Sequence, residues 1–298
     1  MNDFYKIDMM IVGAQKAGTS SLLRYLELHP AIYVHPQREF AYFTNPEHRH
    51  KEDRRYFDAA FSHRQSNQLL LAKNAMLMYS EAAIERLYAH NPNALIIALL
   101  RNPVDRAYSA YWFARSRGWE KIKTFEEALR AEPERMQEDW YKWRNNAYLF
   151  NGQYVLHLRN LFTRFGTERT QAYLIEDLKL DPQKLFRQIF KAANVDDAFQ
   201  PDISRKHNPS RLARSEKIAQ WQASLTNSQN KVKNIVKRVI SPRRILQIQD
   251  YIKRINTSAT APPPIAPETR QRLIEHFQPY NEELGALLGR DLSGWNRI

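Results

Sequence analysis

The stretch IVGAQKAGTSSLLRYLELHP, residues 11–30, constrains this chain more than any other. A short apolar run at 8–12 leads into Gly13, Gly18 follows, and an apolar helical pattern then runs from 19 to 28 and stops at Pro30. A glycine-bearing turn between a strand and a helix aims backbone N–H groups at one point. The helix N-terminus adds about half a positive charge there, so such a turn holds anionic oxygens. A loop of the Walker type carries lysine directly after its last glycine. Here Thr19 and Ser20 stand in those places, and Lys16 lies inside the loop. The bland alternative is an ordinary strand–helix turn with polar surface residues.

Further apolar runs at 69–72, 94–100 and 170–175 predict strands. Their near-continuous apolar character suits a parallel sheet covered on both faces. Helical patterns at 80–90, 103–116, 124–131, 134–146, 152–165 and 182–193 separate them. This alternation predicts an α/β fold: a P-loop-like three-layer core with a central, mainly parallel sheet flanked by helices. The expected organisation is a single domain over 1–298.

Past residue 204 the composition changes. Residues 204–254 hold 13 Lys or Arg against two acids, Glu216 and Asp250. The segment 205–254 therefore reads as a basic helical insertion or lid, and 256–267 as a Pro-rich linker. An amphipathic helix at 267–288 opens the last segment, 268–298, and its apolar face predicts packing back on the core.

Several chemistries are excluded. The chain has no cysteine, which removes disulfides, zinc–thiolate sites and thiol catalysis. No signal-like leader or membrane-length apolar run is evident, so the expectation is a soluble, cytoplasmic protein. The net charge of +13 favours acidic ligands.

A second anion-binding element follows the 94–100 run. In a P-loop NTPase an apolar strand ends in an Asp that holds Mg²⁺; this one ends in Arg101. Asn102-Pro103 then starts a helix, with Ser109 two turns on. An arginine at the C-terminal end of a buried strand faces the crevice where α/β sheets bind ligands, and its planar fork suits a phosphate. An ion pair of Arg101 with Asp105 or Glu176 is the structural alternative.

QKAGTSSLLRYLELHP together with LLRNPVDRAYSAYW resembles the sulfotransferase family that uses 3′-phosphoadenosine 5′-phosphosulfate (PAPS), in the bacterial and glycan-modifying, heparan-sulfate-sulfotransferase-like branch. REFAYF, NGQYVLHLRNLFTRFG, LIEDLKLDP and NEELGALLGRDLSGW resemble later family segments. The likeness covers about 7–210 and 267–295 and leaves the basic stretch and the linker as a departure. It implies that Gln15, Lys16, Ala17, Gly18, Thr19, Ser20 and Ser21 hold the 5′-phosphosulfate. Arg101 and Ser109 would read the 3′-phosphate. A sulfuryl group carries less charge than a terminal phosphoryl group, so its transfer needs no metal, which accounts for the missing Asp.

The resemblance also implies catalytic roles. An attacking acceptor must lose a proton, and Glu39 is the implied general base; a surface salt bridge is its alternative role. His35 and His29 are rivals for the base. Lys16 is implied to stabilise the departing phosphate. Lys73, after the 69–72 run, is implied to hold donor or acceptor, although AKNAMLMYS replaces the family's usual sequence there. Arg205 and Lys206 resemble a basic loop that closes over the donor, with a solvated charge run as the alternative. Met76 and Met78 read as packing residues.

The expected activity is sulfuryl transfer from PAPS, leaving 3′,5′-adenosine bisphosphate (PAP), to a hydroxyl or amine on a carbohydrate, glycolipid or small molecule. Residues 231–254 are the expected contact with an anionic membrane, which would place the protein peripherally at its inner face, or with an acidic polymer. A P-loop kinase and a non-catalytic polyanion-binding protein are the rival readings. No nucleic-acid motif is present, and nucleic acid is not an expected partner.

Overall fold

The computed structural model describes residues 6–45, 63–204 and 262–297. In chain order its strands and α-helices are β1 (Met9–Gly13), α1 (Thr19–Leu26), β2 (Ile32–Val34), β3 (Leu69–Lys73), α2 (Glu81–His90), β4 (Leu95–Leu100), α3 (Pro103–Ser116), α4 (Phe125–Arg130), α5 (Glu132–Arg135), α6 (Trp140–Trp143), α7 (Tyr154–Phe165), β5 (Thr170–Leu174), α8 (Ile175–Leu180), α9 (Pro182–Ala192) and α10 (Pro267–Leu288). The described residues fall into two compact units, one of 6–45, 63–106, 151–204 and 273–297, the other of 107–150 and 262–272.

The first unit contains a five-stranded sheet in the order β2-β3-β1-β4-β5, with every neighbouring pair parallel. All residues of β1 and β4 are buried. Side chains alternate between the faces of a strand. Met9, Ile11, Leu71, Leu95, Ile97 and Leu99 pack with Leu22, Leu23 and Leu26 of α1 and with Leu185, Phe186, Ile189 and Phe190 of α9. Full burial of each such side chain contributes about 1.5–3 kcal/mol. The intervening Met10, Ala72, Ile96 and Ala98 are equally buried, so the opposite face is covered too. This is the three-layer α/β core expected from the apolar runs.

The C-terminal segment is tied to this unit. Phe277 of α10 lies so close to Gly152 that a Cβ added there would sit 2.5 Å from the ring. Arg159 of α7 pairs with Glu283 at 2.9 Å, and both Arg290 guanidinium nitrogens donate to Asp177 at 2.8 and 3.2 Å.

Three elements differ from the sequence-based expectation. β2 has three residues, too few for alternation to register, and is defined by pairing with β3. The run at 170–175 ends one residue early, because the Asp177 carboxylate accepts from Leu174 N at 2.9 Å and starts α8. The helix expected at 134–146 is broken. Glu138 O, which a continuous helix would use, accepts instead from Trp143 Nε1 at 2.9 Å, and Lys142 N turns to Asp139 O. Within this second unit Glu132 accepts from the N–H groups of Tyr148, Leu149 and Phe150 at 2.6–3.0 Å, fixing the chain that follows. The basic segment 205–254, including Arg205 and Lys206, lies outside the described residues, as do 256–261 of the linker.

Candidate active site

The strand order opens the site. The connection from β1 leaves toward β2 and β3, and that from β4 leaves toward β5, so their C-terminal ends diverge. Ligands of open α/β sheets bind at such a switch point.

The loop after β1 is built for close approach. Ala14 N donates to Leu99 O at 2.8 Å and Gln15 N to Tyr79 Oη at 3.3 Å, which anchors the start of the turn. Lys16 and Gly18 both adopt left-handed backbone, with φ of 69° and 95°. The two glycines are needed for different reasons. A Cβ on Gly13 would lie 2.0 Å from Met78 Sδ, and Met78 is itself buried, which accords with its expected packing role. Gly18 carries the positive φ that a side chain disfavours, and Ile175 Cδ1 closes on it from the end of β5. Gly18 caps α1 without a side-chain hydrogen bond. The first helical bonds run from Ser21 and Leu22 to Gly18 O, so the N–H groups of Gly18, Thr19 and Ser20 precede the ladder and point out of the helix end.

Arg101 stands one residue past β4. Its Nη1 donates to Lys16 O at 3.3 Å, which links the strand end to the loop. Among the described residues it forms no ion pair with Asp105 or Glu176, so the structural alternative for this arginine is not realised. Asn102 Oδ1 caps α3 by accepting from Val104 N at 2.9 Å. In the second unit, the Oγ of Ser109 on α3 is buried and has no hydrogen-bond partner among the described residues; the Oε1 of Gln15 in the first unit is in the same condition.

Lys73 ends β3 with a side chain only 1% exposed. Its ammonium forms an ion pair with Glu39 Oε1 and donates to Ser20 Oγ at 3.4 Å. The other Glu39 oxygen accepts from Ala75 N at 3.1 Å. Phe40 N bonds Lys73 O at 2.7 Å, and Asn74 Nδ2 bonds Phe40 O and Thr44 Oγ1, so the chain after β2 is clamped along the end of β3. Phe40 and Phe43 are buried beneath, while the Glu39 side chain stays 56% exposed. Glu39 and Lys73 are thereby brought beside the loop.

The histidines take structural places. His35 is 4% exposed, lies against Phe40 with the two rings tilted, and accepts from Gln37 N at Nδ1; burial pushes its pKa down to about 4. His29 Nδ1 accepts from Ala31 N, leaving Nε2 to donate to Asp196 O at 3.0 Å, between the rings of Phe190 and Phe199. Tyr79 and Tyr154, which bond the loop and the Arg101 carbonyl, carry no motif signal and were not legible as site residues.

A parallel α/β core whose switch point holds a glycine turn, a strand-end arginine and a lysine–glutamate pair defines a group transferase of the P-loop-like class. Residues 6–196 match the sulfotransferase domain, and the chain belongs to that family of PAPS-dependent enzymes. The bifunctional heparan sulfate N-deacetylase/N-sulfotransferase 1 of Xenopus laevis is 29% identical over 199 residues, 64% of this chain and 22% of that protein. The human bifunctional heparan sulfate N-deacetylase/N-sulfotransferase 2 is 30% identical over 194 residues, with 62% and 22% coverage. The chain thus spans about a fifth of the length of these relatives. The crystal structure of a sulfotransferase from Alicyclobacillus acidocaldarius superposes with a TM-score of 0.69 at 25% identity, covering 97% of this chain and 98% of that one.

Proposed function

We propose that the chain transfers a sulfuryl group from PAPS to a hydroxyl or amine on a carbohydrate acceptor. The observation that carries this reading is the placement of the Glu39–Lys73 pair beside the helix end that carries Gly18, Thr19 and Ser20. Bound PAPS supplies the sulfuryl group and leaves as PAP.

The chain's own residues then divide the work. The N–H groups of Gly18, Thr19 and Ser20, with the Thr19 and Ser20 hydroxyls and Lys16, hold the 5′ end of the donor. Arg101, whose Nη1 already reaches the loop at Lys16 O, reads the 3′-phosphate. Glu39, partly exposed, accepts the acceptor's proton as the acceptor oxygen or nitrogen attacks sulfur. Once Glu39 is protonated, Lys73 loses its counter-ion and turns its charge toward the loop, where it already reaches Ser20 Oγ. Lys16 and Lys73 then stabilise charge on the departing phosphate, the type of contact whose loss costs about 10²–10³ in rate.

A carbohydrate acceptor is supported by the relatives named for heparan sulfate N-sulfation. The test is an acceptor screen with ³⁵S-labelled PAPS, using de-N-sulfated and unsulfated glycosaminoglycan chains, simple glycosides, lipids and phenols, with mass-spectrometric identification of the product. Label on a glycan hydroxyl or amine is the expected result. Label confined to a phenol or lipid would overturn the acceptor class, and no transfer to any acceptor would overturn the activity.

A further inference from the structure

Two buried phenols brace the two anion-binding segments separately. Tyr154, at the start of α7, donates its hydroxyl to Arg101 O at 2.9 Å. Tyr79, at the end of the 3-10 turn Leu77–Tyr79, accepts from Gln15 N at 3.3 Å. Both are buried and share the field of Arg106, which is fully buried. Burial pushes Tyr79 up to about 12 and Tyr154 well up also, so both stay protonated phenols near neutral pH.

The two contacts act on different groups. The Arg101 carbonyl sets the plane of the Arg101–Asn102 peptide, and with it the direction in which the arginine side chain leaves the backbone. The neighbouring Asn102 is held through its side chain, whose Nδ2 donates to Trp295 O at 3.3 Å. The chain just before α7 is closely packed: a Cβ on Gly152 would lie 2.5 Å from Phe277 and 3.2 Å from Pro103 Cβ. Tyr79 instead gives its hydroxyl to the loop, one peptide before Lys16, while its ring meets His157 of α7 edge-on at 4.9 Å.

We infer that Tyr154 and Tyr79 are positioning residues for opposite ends of the donor: Tyr154 aims Arg101 at the 3′-phosphate, and Tyr79 shapes the Gln15–Lys16 turn for the 5′-phosphosulfate. The inference rests on the donor reading proposed above. It separates two substitutions of the same kind by which end of the ligand each one affects.

The experiment is calorimetric titration of PAP and of 5′-AMP, which lacks the 3′-phosphate, into wild type, Tyr154→Phe, Tyr79→Phe and Arg101→Ala. Wild type is expected to prefer PAP strongly, and Arg101→Ala to lose most of that preference. Tyr154→Phe should lower the PAP-to-AMP preference about three- to tenfold, the range of one net hydrogen bond, while 5′-AMP affinity stays unchanged. Tyr79→Phe should weaken both ligands by the same factor and leave the preference intact. 3-Fluorotyrosine at position 154 retains the hydroxyl and should restore the wild-type ratio. Phosphorus NMR of bound PAP gives a second readout at low temperature if the Phe variant is thermally weakened: the 3′ resonance should move in Tyr154→Phe and the 5′ resonance should not. An unchanged ratio and unmoved 3′ resonance in Tyr154→Phe, or equal losses for both ligands, would overturn the inference while leaving the donor reading intact. A wild type that binds PAP and 5′-AMP equally would remove the donor reading itself.

Discussion

The Lys73 ammonium sits between the Glu39 carboxylate, its ion-pair partner, and the Oγ of Ser20 in the first turn of α1, 3.4 Å away. One buried cation therefore joins the residue that would take a proton to the loop that would hold the leaving group.

The first consequence is for Glu39. Glu39→Gln keeps the shape and the amide can still meet Ala75 N, but the proton acceptor is gone. kcat should fall by about 10²–10⁴. PAP affinity should hold, because the loop and Arg101 carry it. Steady-state kinetics beside PAP titration check both halves. A variant within a few-fold of wild type would remove Glu39 as the base, and parallel loss of PAP binding would make it a partner of Lys73 only.

Metal independence is the second expectation. The strand that would carry a Mg²⁺-binding Asp at its end, β4, is followed instead by Arg101. Sulfuryl transfer should therefore continue at an unchanged rate in excess EDTA. An activity lost in EDTA and restored by Mg²⁺ would move the chain to the kinase reading.

A third prediction addresses the packing beneath the loop. Gly13→Ala places a Cβ 2.0 Å from Met78 Sδ in a buried site. Overpacking of this kind costs about 1–3 kcal/mol. Thermal unfolding should show the loss. In a Met78→Ala background the same change should cost much less, since the clash is with that one side chain. Equal costs in both backgrounds would show that the strain comes from the backbone.

Stability should also depend on pH through two buried histidines. Burial lowers His35 and His90 from the ordinary 6.5 to about 4, and each ring accepts a backbone N–H, from Gln37 and Ile7 respectively. Both are neutral in the folded chain at neutral pH. As pH falls below about 6.5 the unfolded chain binds protons first, so stability present above that value is lost as pH approaches 4. Urea midpoints should be flat above neutrality and decline between about pH 6.5 and pH 4. His90→Gln, which can still accept from Ile7 N, should flatten part of that decline. A midpoint with the same slope in the variant would assign the acid sensitivity to other groups.

Local chemistry wrote much of this protein into its sequence. The glycine turn, the apolar runs of β1, β3 and β4, the Asn102-Pro103 start of α3 and both ends of α10 were legible because each depends on residues within a turn or two of one another. The same holds for Lys16, Gly18 and Arg101, whose places follow from strand ends and one loop. What only the tertiary structure decided lies across long separations. Lys73 meets Glu39 34 residues away, and Tyr154 reaches Arg101 across 53. β2 exists only because β3 pairs with it, and the helix expected at 134–146 breaks because Trp143 and Glu132 take backbone partners that no periodicity announces. Hydrogen bonds and ion pairs between distant segments depend on which chain ends the sheet brings to one edge. That is a property of strand order, and strand order is set by the burial of the whole core.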